Sequence, residues 1–317
     1  MNTDQTNYLN IGLMLASCLA AFIFPFELFL FAYAVFGPLH YLTEISWLDK
    51  KGFFAEKKIH ALLLGMLCVA VFSVYFIAGL QSYAPLLILA AFIIAYVMQM
   101  KERALAWMGA VCIIAILAIL FIRFEPAKNI QDTAALLIPS IIHVFIFTGA
   151  FILVGSLKSK SKSGYLSLAV FIACAVSFFL PIQGGAISDN LRPIYASFSD
   201  LNIALLNLFA PHRAWALSDV FGSAAGIAIM RFIAFAYTYH YLNWFSKTNV
   251  IRWHEIPRSR MIFILALWII SVALYAQDYT LGLRVLFFLS LLHVFLEFPL
   301  NFRTFRSIFQ ELSLMVR

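Results

Sequence analysis

Apolar runs of roughly 20 residues, separated by short clusters of charge, glycine and proline, repeat along this chain from one end to the other. Runs of that length cross a bilayer as helices, and they fall near 8–24, 27–47, 59–79, 84–100, 104–122, 134–156, 164–182, 220–246, 261–277 and 281–300. The pattern predicts an all-α, polytopic integral membrane protein with about ten transmembrane helices, forming a single transmembrane domain over residues 1–317. Phe24-Pro25-Phe26-Glu27 separates the first two runs. Proline has no N–H to continue a helix and pushes the preceding residue out of the α region, so a tight helical hairpin is expected there. The stretch 183–219 breaks the pattern with Gln183-Gly184-Gly185, Asp189, Pro193, Asp200, Pro211 and Asp219. It reads as a long outer loop with a short interfacial or re-entrant helix around 195–210.

Composition removes the soluble classes. With 63% hydrophobic and 12% charged residues and a mean hydropathy of +0.93, the chain lacks the polar surface to solvate its apolar mass, so the lipid bilayer is its first partner. The net charge of +7 comes from short basic clusters between apolar runs, which act as topology determinants and give no reason to expect a nucleic-acid partner. With the N-terminus inside, sixteen of the 22 Lys and Arg fall in inner loops, which places both termini in the cytoplasm. A plasma membrane of bacterial inner-membrane type is the expected location. The N-terminus shows no basic stretch ahead of its first apolar run, so a removable signal peptide is not expected. Cys18, Cys68, Cys112 and Cys174 stand singly in apolar runs with no Cys-x-x-Cys spacing, and read as packing residues. Walker A, Gly-x-Gly-x-x-Gly and Gly-x-Ser-x-Gly patterns are absent.

The chemistry that remains is carried by histidines. His40 with Glu44 and His293 with Glu297 repeat one spacing, four residues, that puts both side chains on one helix face. His40, His240 and His293 lie ten, seven and ten residues before the basic stops Lys50, Lys247 and Arg303, so all three sit roughly 10–15 Å from the inner charged layer. Ionisable groups at that depth are expensive, and are kept where they face a partner, a metal or a water-filled path. Imidazoles with carboxylates and no thiolates suit non-haem iron or zinc, in the manner of di-iron sites assembled from facing helices. His143 joins this set if its helix tilts or the site is taller than one layer. His60 is a reserve, and His254, in the basic loop 247–260, extends the set only if that loop does more than sit on anionic headgroups. His212 reads as loop surface.

Around His240, Tyr237 and Asn243 lie three residues to either side, placed to hydrogen-bond the imidazole or a bound water. Tyr241 and Trp244 also fit an interfacial aromatic belt. Arg231, inside the same run, needs a carboxylate such as Glu27 or Asp219, or a polar cavity; an ion pair between helices and a place on a substrate pathway stay open for it.

The run Gly37-Pro38-Leu39-His40-Tyr41-Leu42-Thr43-Glu44 resembles the first motif of the Brp/Blh family of integral-membrane carotenoid-cleaving oxygenases, in which glycine, proline, histidine and an acidic residue recur at similar spacing within an early span. Leu292-His293-Val294-Phe295-Leu296-Glu297 is similar in its histidine-to-acid spacing. The chain departs from the family at Tyr41, where the motif tends to carry a small residue, and in lacking a paired-histidine motif in its later half. The resemblance implies intramembrane histidines holding iron, and cleavage of a long lipophilic polyene by dioxygen.

Together these readings predict a membrane non-haem iron oxygenase or oxidoreductase, with a lipophilic small molecule as substrate. His40, His143, His240 and His293 are the expected metal ligands, Glu44, Glu297 and Tyr237 the expected catalytic groups, and Arg231 and Asn243 the expected lining of a substrate pathway. A cation or proton transporter, a haem protein and a zinc-dependent lipid hydrolase are the alternatives built from the same residues.

Overall fold

The structure is a computed structural model. It describes residues 2–315 except Glu56, Lys101, Glu102, Gln183, Ala186, His212, Trp253 and His254, with the backbone alone for Arg103, Asn249 and Val250. The described residues are helical nearly throughout and contain no strand. In chain order the principal helices are α1 (Thr3–Ile23), α2 (Pro25–Lys50), α3 (Lys58–Phe76), α4 (Ala84–Val97), α5 (Arg103–Arg123) and α6 (Glu125–Ser159). They continue with α7 (Lys162–Ser177), α8 (Ser199–Phe209), α9 (Leu217–Gly222), α10 (Ala224–Ser246), α11 (Arg258–Gln277) and α12 (Tyr279–Met315). Short single turns fill the connections at Arg192–Tyr195 and Thr248–Ile251.

Seven of these helices, α1, α2, α3, α5, α6, α11 and α12, are long and apolar enough to cross a membrane, and α4 and α7 are shorter apolar helices. The remaining predicted run, α10, is 23 residues long, but Arg231, His240 and its tyrosines keep it out of the seven. The hairpin at Pro25 forms as expected: α1 ends at Ile23, Phe24 leaves the helical region at φ −141°, and Pro25 opens α2 in its first turn. The stretch 183–219 does carry a helix, α8, within the expected 195–210. Two boundaries differ most from the hydropathy pattern. The run 134–156 is the second half of a helix that begins at Glu125, and 281–300 continues to Met315 because Pro299 does not end α12. Buried among its neighbours, Pro299 costs the helix one hydrogen bond without opening it to solvent.

Burial separates bilayer-facing helices from inner ones. Only 11% of the most apolar window of α5 is buried inside the protein, against 61% for α2. Leu105, Met108, Val111, Ile119 and Ile122 of α5 point outward, as a lipid-facing surface requires. Helix α10 is the opposite, buried along nearly its whole length against α1, α2 and α9. One apolar core gathers α1, α2, α7 and α10 around Phe29, Phe178 and Phe235. A second gathers α3, α4 and α12 around Leu64, Ala91 and Phe295. Ile142 of α6 packs against both, and its neighbour His143 marks the seam between them.

Candidate metal centre

Three of the four helices that carry His40, His143, His240 and His293 have a proline close to the histidine: Pro38 in α2, Pro139 in α6 and Pro299 in α12. Proline supplies no N–H and crowds the carbonyl four residues earlier. In α2 and α6 the ladder widens into π-helical stretches, Ala32–Phe36 just before Gly37-Pro38 and Ile138–Phe147 around His143. Such wide turns rotate the residues beyond them relative to a regular helix and recur at functional sites. The turn in α6 brings His143 into the group, which residue spacing left conditional. At Gly37 an added Cβ would come within 2.9 Å of the Tyr41 hydroxyl and 3.4 Å of the Tyr241 hydroxyl. Glycine there leaves room for two phenols hydrogen-bonded to each other at 3.0 Å.

The four imidazoles converge. His40 and His240 meet Nε2 to Nε2 at 3.0 Å, His143 and His293 meet Nε2 to Nε2 at 3.2 Å, and the ring centroids of adjacent histidines are 4.7–5.3 Å apart. Glu44 brings Oε2 within 3.0 Å of His40 Nε2, and Glu297 brings Oε2 within 3.0 Å of His143 Nδ1. Neither carboxylate oxygen is aligned to accept a hydrogen bond from the ring it approaches. All six side chains are buried, His240 the least so at 7% exposure. Ligand atoms of His40, His143 and His240, and again of His40, Glu44 and His293, lie within 4.8 Å of one another, so His40 belongs to both triads.

Donor chemistry and charge both fit a divalent cation. Nitrogens sharing a tetrahedral ion at about 2.0–2.1 Å stand about 3.4 Å apart, close to the observed pairs. Two carboxyl groups buried to this degree stay ionised only beside positive charge, and the described ion pairs give them imidazole neighbours and no Lys or Arg. Nδ1 of His40 also lacks a hydrogen-bond partner, a buried polar atom that marks an unmet ligand or water. A haem fits poorly, because imidazoles on its two faces hold their nitrogens about 4 Å apart with a macrocycle between them.

The surrounding residues fix ring orientation. His240 Nδ1 pairs with Thr148 Oγ1 at 2.9 Å; the expected partners, Tyr237 and Asn243, point elsewhere. Tyr237 packs on Phe29 and Tyr33, while Asn243 Oδ1 accepts from the Tyr239 hydroxyl beside a network in which Asn10 accepts from Tyr239 and Ser246. Tyr41 stacks on His293 with centroids 4.2 Å apart. Trp244 sets its edge against His40 and donates through Nε1 to Thr43 Oγ1 at 3.0 Å, so it is tied to the site rather than to an aromatic belt alone. Thr148, Tyr41 and Trp244 were not singled out in the sequence as site residues; polar side chains at matched depth on α2, α6 and α10 are the signal that points to them.

Arg231 pairs with no acid. Its guanidinium donates to the carbonyls of Ile182 and Gly184 at 2.8 and 2.6 Å and covers the Phe22 ring. Gly184 and Gly185 adopt φ of 107° and 85°, and the arginine anchors this turn at the start of the stretch 183–219. His60 lies against Trp107, away from the cluster. His212 and His254 fall outside the described residues.

A cavity of about 940 Å³ reaches the histidines. His143, His240 and His293 form its inner end together with Tyr41, Tyr237 and Tyr241. Its walls are mainly apolar, from Ile88, Leu136, Val144, Phe198, Leu201 and Phe287, and its far end is bordered by Gln81, Asp132, Asp200 and Arg284. Neither Arg231 nor Asn243 belongs to the wall.

Fold and site define an all-helical bundle with apolar, membrane-length helices and a buried histidine–carboxylate cluster at the end of an internal cavity. No family model, curated protein or solved structure matches the chain.

Proposed function

We propose that the protein is a membrane-embedded, metal-dependent oxidoreductase of the non-haem iron type, acting on a lipophilic substrate drawn from the bilayer. The observation that carries this reading is the union of a buried cluster of four imidazoles and two carboxyl groups with a large, mostly apolar cavity that ends on it. Ten spans with both termini in the cytoplasm complete the reading, made up of the seven long helices, α4, α7 and the buried α10. The resemblance of residues 37–44 and 292–297 to the Brp/Blh family points the same way.

In this reading His40, His143, His240 and His293 hold the ion. Glu44, beside the His40 nitrogen that faces the other imidazoles, adds a carboxylate to them. Glu297 sits beside the other nitrogen of His143 and acts on that ring through its charge, whereas Thr148 holds His240 by a hydrogen bond. When bound, iron supplies a redox centre at which dioxygen and substrate meet. The apolar wall excludes water from that end, and the hydrogen-bonded pair Tyr41 and Tyr241 bounds the space beside the reacting part of the substrate.

The same donor set accepts zinc, and a zinc-dependent lipid hydrolase would use the same cavity. A transporter reading draws on the cavity's reach from the 197–207 region to the histidines. Beyond the histidines, however, Thr43, Glu44, Leu48, Glu297 and Asn301 are all buried and none borders the cavity, which suits a closed reaction chamber rather than a through path. Elemental analysis of purified protein tests the proposal. Bound iron is expected in the native chain and loss of it in His40→Ala, His143→Ala, His240→Ala and His293→Ala; undiminished metal in all four variants would overturn it.

A further inference from the structure

The cavity changes character along its length, and the change specifies a substrate. At one end stand the histidines. At the other, α3, α6, α8, α12 and the turn that precedes α4 bring Tyr75, Asp132, Asp200, Arg284 and Gln81 to one mouth. Asp200 and Arg284 are exposed there and form no ion pair among the described residues, while Asp132 lies in the field of Lys128, one turn earlier on α6. Opposite charges that border one opening without neutralising each other can both be met by a ligand that carries both signs. The exposed rings of Tyr75 and Phe76 beside them offer faces to a cationic group.

Two helices give the distance between the ends. Arg284 precedes His293 by nine residues on α12, and Asp132 precedes His143 by eleven on α6. At about 1.5 Å per residue, with some shortening through the π-helical turn, both measures give about 13–16 Å. An extended chain advances about 1.2 Å per bond, so about 11–13 bonds connect mouth and histidines.

We infer that the substrate is a long-chain zwitterionic amphiphile, with its charged head at the mouth formed by Asp132, Asp200 and Arg284 and its reacting carbon about 11–13 bonds down the chain. This rests on the oxidoreductase reading for the word reacting; the binding pose stands on the cavity alone. The pose requires the apolar tail to enter first and the head to stay at the outer side of the bundle.

Photocrosslinking of the full-length protein in nanodiscs tests the pose. The probes are single-chain alkylphosphocholines carrying a diazirine at about carbon 3 or about carbon 11, spanning the depth set by the chain geometry. The deep probe should label peptides containing Tyr41, His143 or His293, and the shallow probe peptides containing Tyr75, Asp200 or Arg284. Labelling should fall at least tenfold in the double variant Asp200→Asn with Arg284→Gln, whose unchanged thermal unfolding in nanodiscs would show that it has folded. The inference is overturned if both probes label the same depth, if the order is reversed, or if an uncharged alkyl alcohol probe labels as well as the zwitterion. Depth-ordered labelling of a protein devoid of metal would support this pose while counting against the oxidoreductase reading, so the two fail separately.

Discussion

His40 with Glu44 and His293 with Glu297 share one spacing, and the structure treats them differently. Glu44 approaches the histidine of its own helix, at the nitrogen that faces the other imidazoles. Glu297 turns away from His293 and approaches His143 of α6, at the nitrogen on the far side of the contact with His293. Equal spacing therefore produces a carboxylate within the donor cluster in one case and a carboxylate behind a donor in the other. The difference arises from α6, whose π-helical turn delivers a histidine between α12 and α10 and so takes Glu297 as its partner. Spacing along a helix fixes a face; the neighbouring helix decides which atom on that face meets which.

Substitutions that leave size nearly unchanged separate these roles. Glu44→Gln is expected to have the largest effect, lowering metal affinity more than 100-fold in competition titrations with a chelator, because a charged donor of the cluster is lost. Glu297→Gln should lower affinity about 10- to 100-fold, the range for groups that orient a ligand. Equal losses for the two variants would erase the distinction between them. Thr148→Val should cost about tenfold in affinity through His240, with Thr148→Ser restoring most of it. Tyr41→Phe should leave metal content unchanged and lower thermal stability by about 0.5–1.5 kcal/mol, the net value of its hydrogen bond to Tyr241. A loss of metal in that variant would place the tyrosine among the groups that hold the ion.

Much of the fold was legible because apolar length and charge clusters report directly on helices in lipid, and the hairpin at Pro25 and the helix within 195–210 followed from local rules. The common depth of His40, His240 and His293 was legible for the same reason, since distance to a basic stop is a coordinate along the membrane normal. Rotation about each helix axis was not. Tyr237 and Asn243 have the right spacing to serve His240, yet its free nitrogen turns toward Thr148 on another helix. Arg231 has the charge to seek an acid, yet the nearest need was two carbonyls freed by the turn at Gly184 and Gly185. Both outcomes depend on contacts between helices distant in sequence, which periodicity does not encode.

The composition of α10 bears on how the protein is made. A segment with Arg231 and His240 among tyrosines partitions weakly into lipid; an arginine near a helix centre alone costs about 2.5–3.5 kcal/mol on insertion scales. Its partners α1 and α2 are synthesised well before it, and they offer the polar and aromatic surface that lipid does not. On the ten-span reading biogenesis gains an order: α10 settles against a receiving surface left by the early helices, His40 and His143 precede His240, and His293 closes the cluster as the last long helix is completed.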